Sequence, residues 1–182
     1  MRWHPFQLNP DLPAEGIDRA DYLKMKFGDR AGGNMYDNVR RAAADVGLDL
    51  AMDDIERQPN TIRAHSLIAL AQQHNQQKMV ETLFEAYFQK GVDLTSEQSL
   101  IETAREAGLA EPLIEAALND ESVHETVRAA DANARQLGVS GVPFFIFNQR
   151  LAVSGAAGAE TLVQAFRKAS EPANDAEVNS PD

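Results

Sequence analysis

Apolar residues recur along this chain at two different spacings. Between residues 17 and 137 they return every three or four positions, the period of amphipathic helices, whereas both ends carry short apolar runs without that period. Asp18 is placed to cap a helix through Tyr22, Leu23 and Phe27, and Gly28 to end it. Met35, Val39, Ala42 and Val46 form a second stripe that stops at Gly47. Asn60-Thr61, following Pro59, predicts the N-cap of a third helix that places Leu67, Leu70 and Ala71 on one face. Met79, Val80, Leu83, Phe84, Tyr87 and Phe88 make the broadest stripe, closed by Gly91. Thr95-Ser96-Glu97-Gln98 matches a capping box ahead of Leu100, Ile101 and Ala104. Pro112 suits the first turn of a short helix, and Val123, Val127, Ala130, Ala134 and Leu137 mark a longer one that Gly138 ends.

The ends read differently. Trp3 to Leu8 predicts a short strand, stopped by Pro10 and Pro13. Phe144 to Phe147, the turn Asn148-Gln149-Arg150, and Leu151 to Val153 predict a β-hairpin, followed by a helix bearing Leu162, Val163 and Phe166. This order makes the chain α/β: a small core from residues 1–16 plus 138–169, interrupted by a large all-helical insertion over residues 17–137. Residues 170–182 offer almost nothing to bury, and two prolines and four acids there predict a disordered acidic tail.

Charge and composition narrow the chemistry. A net charge of -11 over 182 residues repels phosphate backbones and anionic membranes, and no Lys/Arg cluster with interleaved aromatics offsets it; neither nucleic acid nor membrane is expected as a partner. No apolar run approaches the ~18 residues that span a bilayer. Met1-Arg2-Trp3-His4-Pro5-Phe6 lacks the apolar region of a signal peptide, so a cytoplasmic location is the expectation. The absence of cysteine excludes disulfides, thiolate metal sites and a thiol nucleophile within these residues. His65 and His74 stand nine apart, which is not a helical ligand spacing, and no metal site is expected. Asp53, Asp54 and Glu56 read as a solvated face. Gly28 to Gly33 lacks the preceding strand of a dinucleotide loop, and neither Ser140 nor Ser154 sits in a Gly-x-Ser-x-Gly elbow.

One segment carries a specific expectation. Gly138-Val139-Ser140-Gly141-Val142-Pro143-Phe144-Phe145-Ile146-Phe147 ends a helix and enters an apolar strand through an X-Pro bond, the one bond type in which cis is cheap. Proline belongs at the first residue of a strand, where it need not donate to a ladder. The segment reads as a cis-proline platform that exposes the backbone of Val142. It resembles the substrate loop of the DsbA family, in particular the FrnE-like branch. Arg2-Trp3-His4-Pro5-Phe6-Gln7-Leu8-Asn9-Pro10, Ala14-Glu15-Gly16, Pro59-Asn60-Thr61 with Ala64-His65, Arg135 to Val139, and Ala152 to Ala156 extend the resemblance over nearly the whole chain.

The resemblance implies a thioredoxin-like fold with a helical insertion, and thiol–disulfide exchange through a Cys-x-x-Cys at the start of the first helix. Its match begins at the second strand, so the first strand, the cysteine pair and the first helix have no counterpart here. The expectation is a chain truncated at its N-terminus and inactive in thiol chemistry. What carries over is the platform: Val142 to pair with an extended peptide or glutathione, Pro143 to hold that backbone exposed, and Asn60 as a further substrate-binding candidate. No catalytic residue carries over. A non-catalytic peptide-binding module is the alternative, and so is a glutathione-dependent enzyme resembling 2-hydroxychromene-2-carboxylate isomerases and kappa-class transferases. That branch usually has a Ser-Asp pair where this chain has Gly155-Ala156-Ala157. The Trp3 segment is expected either to close directly onto the Phe144 strand or to acquire a strand from an upstream peptide or from another chain, as in a homo-oligomer.

Overall fold

The computed structural model describes residues 1–28, 36–71 and 75–171. Met35, His74, most of the Gly28–Gly33 segment and residues 172–182 of the expected tail lie outside them. Among the described residues, eight α-helices and four short strands follow in the order β1 (Ile17–Asp18), α1 (Arg19–Phe27), α2 (Asp37–Ala44), β2 (Arg57–Gln58), α3 (Ile62–Leu70), α4 (Gln76–Phe84), α5 (Glu97–Glu106), α6 (Glu111–Asn119), α7 (Glu121–Gln136), β3 (Phe144–Phe147), β4 (Leu151–Ser154) and α8 (Ala159–Ser170). The chain divides into two compact units, residues 1–133 and 134–182.

The first unit is a helical body. Leu67 on α3, Met79 on α4, Leu100 on α5, and Ile114 and Leu118 on α6 are its most deeply buried large side chains. Complete burial of a residue of this size stabilises the fold by about 1.5–3 kcal/mol. The stripe from Met79 to Phe88 is not one α-helix, because a π-helical turn spans Glu85–Gln89, with the Lys90 N–H reaching the Glu85 carbonyl at 3.1 Å. That wider turn keeps Tyr87 buried and leaves Phe84 exposed, its edge toward Phe88.

Four expectations need correction. Trp3 to Leu8 forms no ladder. Side chains take its main-chain donors instead: Trp3 N–H goes to Gln76 Oε1 at 2.9 Å and Gln7 N–H to Asp131 Oδ1 at 2.7 Å. Residues 17–137 are not all helical, since β1 pairs antiparallel with β2 in a sheet separate from β3 and β4. Gly16 makes that pairing geometrically accessible: its φ is +66°, and a Cβ there would stand 2.5 Å from the Gln58 carbonyl oxygen. The α2 stripe is misplaced, with Ala43 buried and Val39 and Val46 exposed. The α5 cap falls one residue later than the capping box puts it: Ser96 accepts the Ser99 N–H at 3.3 Å.

The second unit is small. β3 and β4 pair in antiparallel register, Phe144 opposite Ser154 and Phe147 opposite Leu151, and α8 packs on the hairpin. Ala165 and Ala169 are the residues of α8 that are buried, whereas Phe166 is 62% exposed. Small side chains let a helix approach a sheet closely, and ranking positions by size alone misassigns that face.

Candidate functional site

The approach to β3 is built by local backbone geometry. Gly138, at φ +88°, ends α7, and the N–H groups of Gly138 and Val139 return to the carbonyls of Arg135 and Ala134 at 3.0 Å each. The Val142–Pro143 peptide bond is cis. Beyond the strand, Asn148 and Gln149 are both left-handed, at φ 51° and 57°, and the Arg150 N–H donates to the Phe147 carbonyl at 3.0 Å to close the turn. Asn148 and Arg150 tie the turn to the end of α8, donating to the carbonyls of Ala169 and Glu171.

Which main-chain groups remain open follows from the register. Gly155 N–H donates to Pro143 O at 2.8 Å. Ladder bonds in an antiparallel pair engage alternate residues, so Phe145 and Phe147 also turn their main-chain groups toward β4, and Phe144 and Ile146 turn theirs away. Val142, two residues before Phe144, makes no hydrogen bond among the described residues, and its side chain is 50% exposed. Val142, Phe144 and Ile146 thus line one edge with consecutive outward-facing peptide groups. Among the described residues no strand pairs with that edge.

The two faces of the hairpin differ. Phe145 and Phe147, stacked at 6.5 Å, share one face with Val153 and Leu151, and all four are half-buried. The opposite face carries Phe144, Ile146, Ala152 and Ser154, with Ile146 exposed. An extended segment added at the edge meets this open face with every second side chain.

Asn60 sits in the first unit, where its side-chain amide bonds to neighbouring segments. Its amide donates to the Leu12 carbonyl at 2.6 Å, while its oxygen accepts the Ile62 N–H at 3.0 Å and Gln7 Nε2 at 3.2 Å. It stands one residue before Thr61, the N-cap of α3, and fastens the N-terminal segment to the start of that helix. His65, one turn further on, places Nδ1 2.8 Å from the Thr61 carbonyl, so Nδ1 carries the proton. Burial pushes its pKa below the ordinary value, against the opposing pull of the Thr61 bond and of Asp131. Among the described residues no group of three or more His, Cys, Asp or Glu is arranged to hold a metal ion, and no helix is long and apolar enough to cross a membrane. Asp53 pairs with Arg40 at 2.7 Å on the surface.

Comparison with known proteins follows the same lines. The profile of the DSBA-like thioredoxin domain matches residues 1–167. No curated protein matches the chain. Among solved structures, the chain is similar to a probable DsbA oxidoreductase from Streptomyces coelicolor, with 29% sequence identity and a TM-score of 0.80 over 97% of this chain and 80% of that one. A thioredoxin fold carrying a helical insertion accounts for both likenesses, and the chain belongs to the DsbA-like thioredoxin-domain family.

Proposed function

We propose that this chain is a cysteine-free, FrnE-like member of its family that binds an extended peptide along the edge formed by Val142, Phe144 and Ile146. The supporting observation is the unpaired main chain of that edge. A strand edge with unpaired N–H and C=O groups is a template for another strand, and strand addition is the way an open edge gains partners and a ligand gains affinity. Glutathione, with its peptide-like backbone, is the small-molecule candidate for the groups of Val142. Thiol–disulfide exchange needs an attacking thiolate, which none of the 182 residues supplies. The chain by itself is therefore inert in that reaction, and a redox role requires cysteines from outside these residues.

The test is binding of a fluorescent six-residue extended peptide to the wild type and to Ile146→Pro, which removes an outward-facing N–H while sparing the bonds to β4. The reading expects saturable binding that the substitution abolishes with the far-UV circular dichroism retained. Equal affinity of the two proteins overturns it. Intact mass and the N-terminal peptide of the native protein address the redox role separately: a Cys-x-x-Cys joined to these residues supports it, and a mature chain of these residues alone rejects it.

A further inference from the structure

We infer that the open edge of β3 pairs with the same edge of a second copy of this chain, antiparallel about a two-fold axis that sets Phe144 opposite its own counterpart. This rests on the strand-addition reading above and names a partner for it. A second copy and a free peptide then compete for the same main-chain groups.

The register carries the argument. The outward main-chain groups belong to Val142, Phe144 and Ile146, which are spaced by two and centred on Phe144. In an antiparallel pair, two opposed residues exchange both of their bonds when each faces the other strand. With Phe144 opposite Phe144 of the second copy, Val142 falls opposite Ile146 and Ile146 opposite Val142, so every outward residue meets an outward residue. Sliding the copy by one residue sets outward groups against inward ones, and sliding it by two leaves an outward residue unmatched on each strand. Pro143, which has no N–H, opens no gap in this ladder, because it faces β4, where its carbonyl accepts the Gly155 N–H at 2.8 Å. A row of open groups that is its own complement makes an isologous contact, the self-matching surface of a two-fold dimer.

Side chains favour the same register. Directly opposed residues share a face and touch, so Phe144 lies beside its counterpart, and Val142 beside Ile146 twice over. Val142 and Ile146 are 50% and 56% exposed, which leaves them apolar surface to lose on pairing. Residues 138–147 carry no charge, so the edge lacks the lysines and glutamates that blunt edge strands. A pairing this short buries less than the ~1,200 Å² at which stable complexes begin. Association is therefore weak and reversible, and the free chain keeps its edge open to other strands.

Sedimentation velocity of the full chain, run up to about 500 μM, should show a monomer–dimer equilibrium with a midpoint on the order of 100 μM. Val142→Lys/Ile146→Lys opposes lysine to lysine across the contact, whereas Val142→Lys/Ile146→Glu opposes lysine to glutamate. The first should dimerise about ten-fold more weakly than the second at low salt, with the gap narrowing near 1 M salt as screening shortens to about 3 Å. Because the chain has no cysteine, single cysteines report the register. Phe144→Cys should form a disulfide-linked dimer about ten-fold faster than Ile146→Cys, since opposed Cα atoms stand about 5.5 Å apart, within disulfide reach, only at position 144. Exposure alone predicts the reverse order, Ile146 being the more exposed of the two. A chain that stays monomeric over the whole range but binds the six-residue peptide overturns this inference while the peptide-binding reading stands. One that neither dimerises nor binds peptide overturns both. Equal dimerisation of the two charge variants, faster linkage at position 146, or a dimer that persists in Ile146→Pro places the contact elsewhere and also overturns the inference.

Discussion

The Gln7 main-chain N–H and the Asp131 carboxylate meet at 2.7 Å in a buried setting, although 124 residues separate them. Gln7 and Asp131 are both almost fully buried. The bond fastens the N-terminal segment to α7, and Asn60 and Gln76 hold the same segment to α3 and α4. Replacing Asp131 with Leu leaves a buried donor unsatisfied, at a cost of about 1–3 kcal/mol. Urea unfolding should show this as a lower midpoint, whereas exposed Glu125→Gln should stay within about 0.5 kcal/mol of wild type.

His65 makes stability depend on pH. Its folded pKa lies below the ordinary 6.5 because burial disfavours the imidazolium. Below pH 6.5 the unfolded chain binds the proton more readily than the folded one, so the contribution of His65 is fully present above 6.5 and is lost as pH falls from there toward the folded value. His65→Gln should flatten the slope of unfolding free energy against pH in that window. The slope below pH 4.5, to which Glu111 and Glu121 contribute through carboxylates held low by Arg105 and Arg128, should survive the substitution. An unchanged slope just below pH 6.5 would reject the assignment to His65.

Gly16 and Gly47 share a left-handed backbone, at φ +66° and +75°, but not their surroundings. Alanine at Gly47 meets nothing within 4 Å and should cost only the left-handed conformation, about 1–2 kcal/mol. Alanine at Gly16 carries the same penalty, and its Cβ also falls 2.5 Å from Gln58 O and 2.6 Å from Thr95 Cγ2. Forced repacking of that kind adds about 1–3 kcal/mol. Thermal unfolding should rank the variants wild type, Gly47→Ala, Gly16→Ala in falling stability.

The features legible in the sequence are those whose causes are local. Asp18 caps α1 by accepting the Ala20 and Asp21 N–H groups, and Pro112 opens α6. The hairpin falls on β3 and β4 because alternation and an Asn-containing turn lie within a dozen residues. What escaped has distant causes. Trp3 to Leu8 has the composition of a strand, but pairing depends on a neighbour, and its donors found Gln76 and Asp131. Asn60 stands in a conspicuous Pro-Asn-Thr motif, and only the fold shows that its amide bonds to Leu12, Gln7 and Ile62. On the hairpin, the alternation shows two faces, but register is needed to see that Val142, Phe144 and Ile146 share the open edge.

Tyr87 supplies a stability effect of opposite sign to that of His65. Its hydroxyl donates to the Arg57 carbonyl at 3.2 Å, which joins the π-helical turn to β2. Burial pushes its pKa up to about 12, and the nearby Arg19 guanidinium only partly opposes that shift. For a phenol, a raised folded pKa means that the neutral form is favoured by folding. The contribution is present below the ordinary value of 10 and is lost as pH rises from 10 through about 12. Ultraviolet titration of the folded protein should therefore show a phenol absorbance phase near pH 12, and Tyr87→Phe should remove that phase. The same substitution deletes the bond to Arg57, costing about 0.5–1.5 kcal/mol near neutral pH. Above pH 10, wild type should lose stability faster than Tyr87→Phe, so the two unfolding curves should converge. Curves that stay parallel from pH 8 to pH 11 would place the alkaline instability elsewhere.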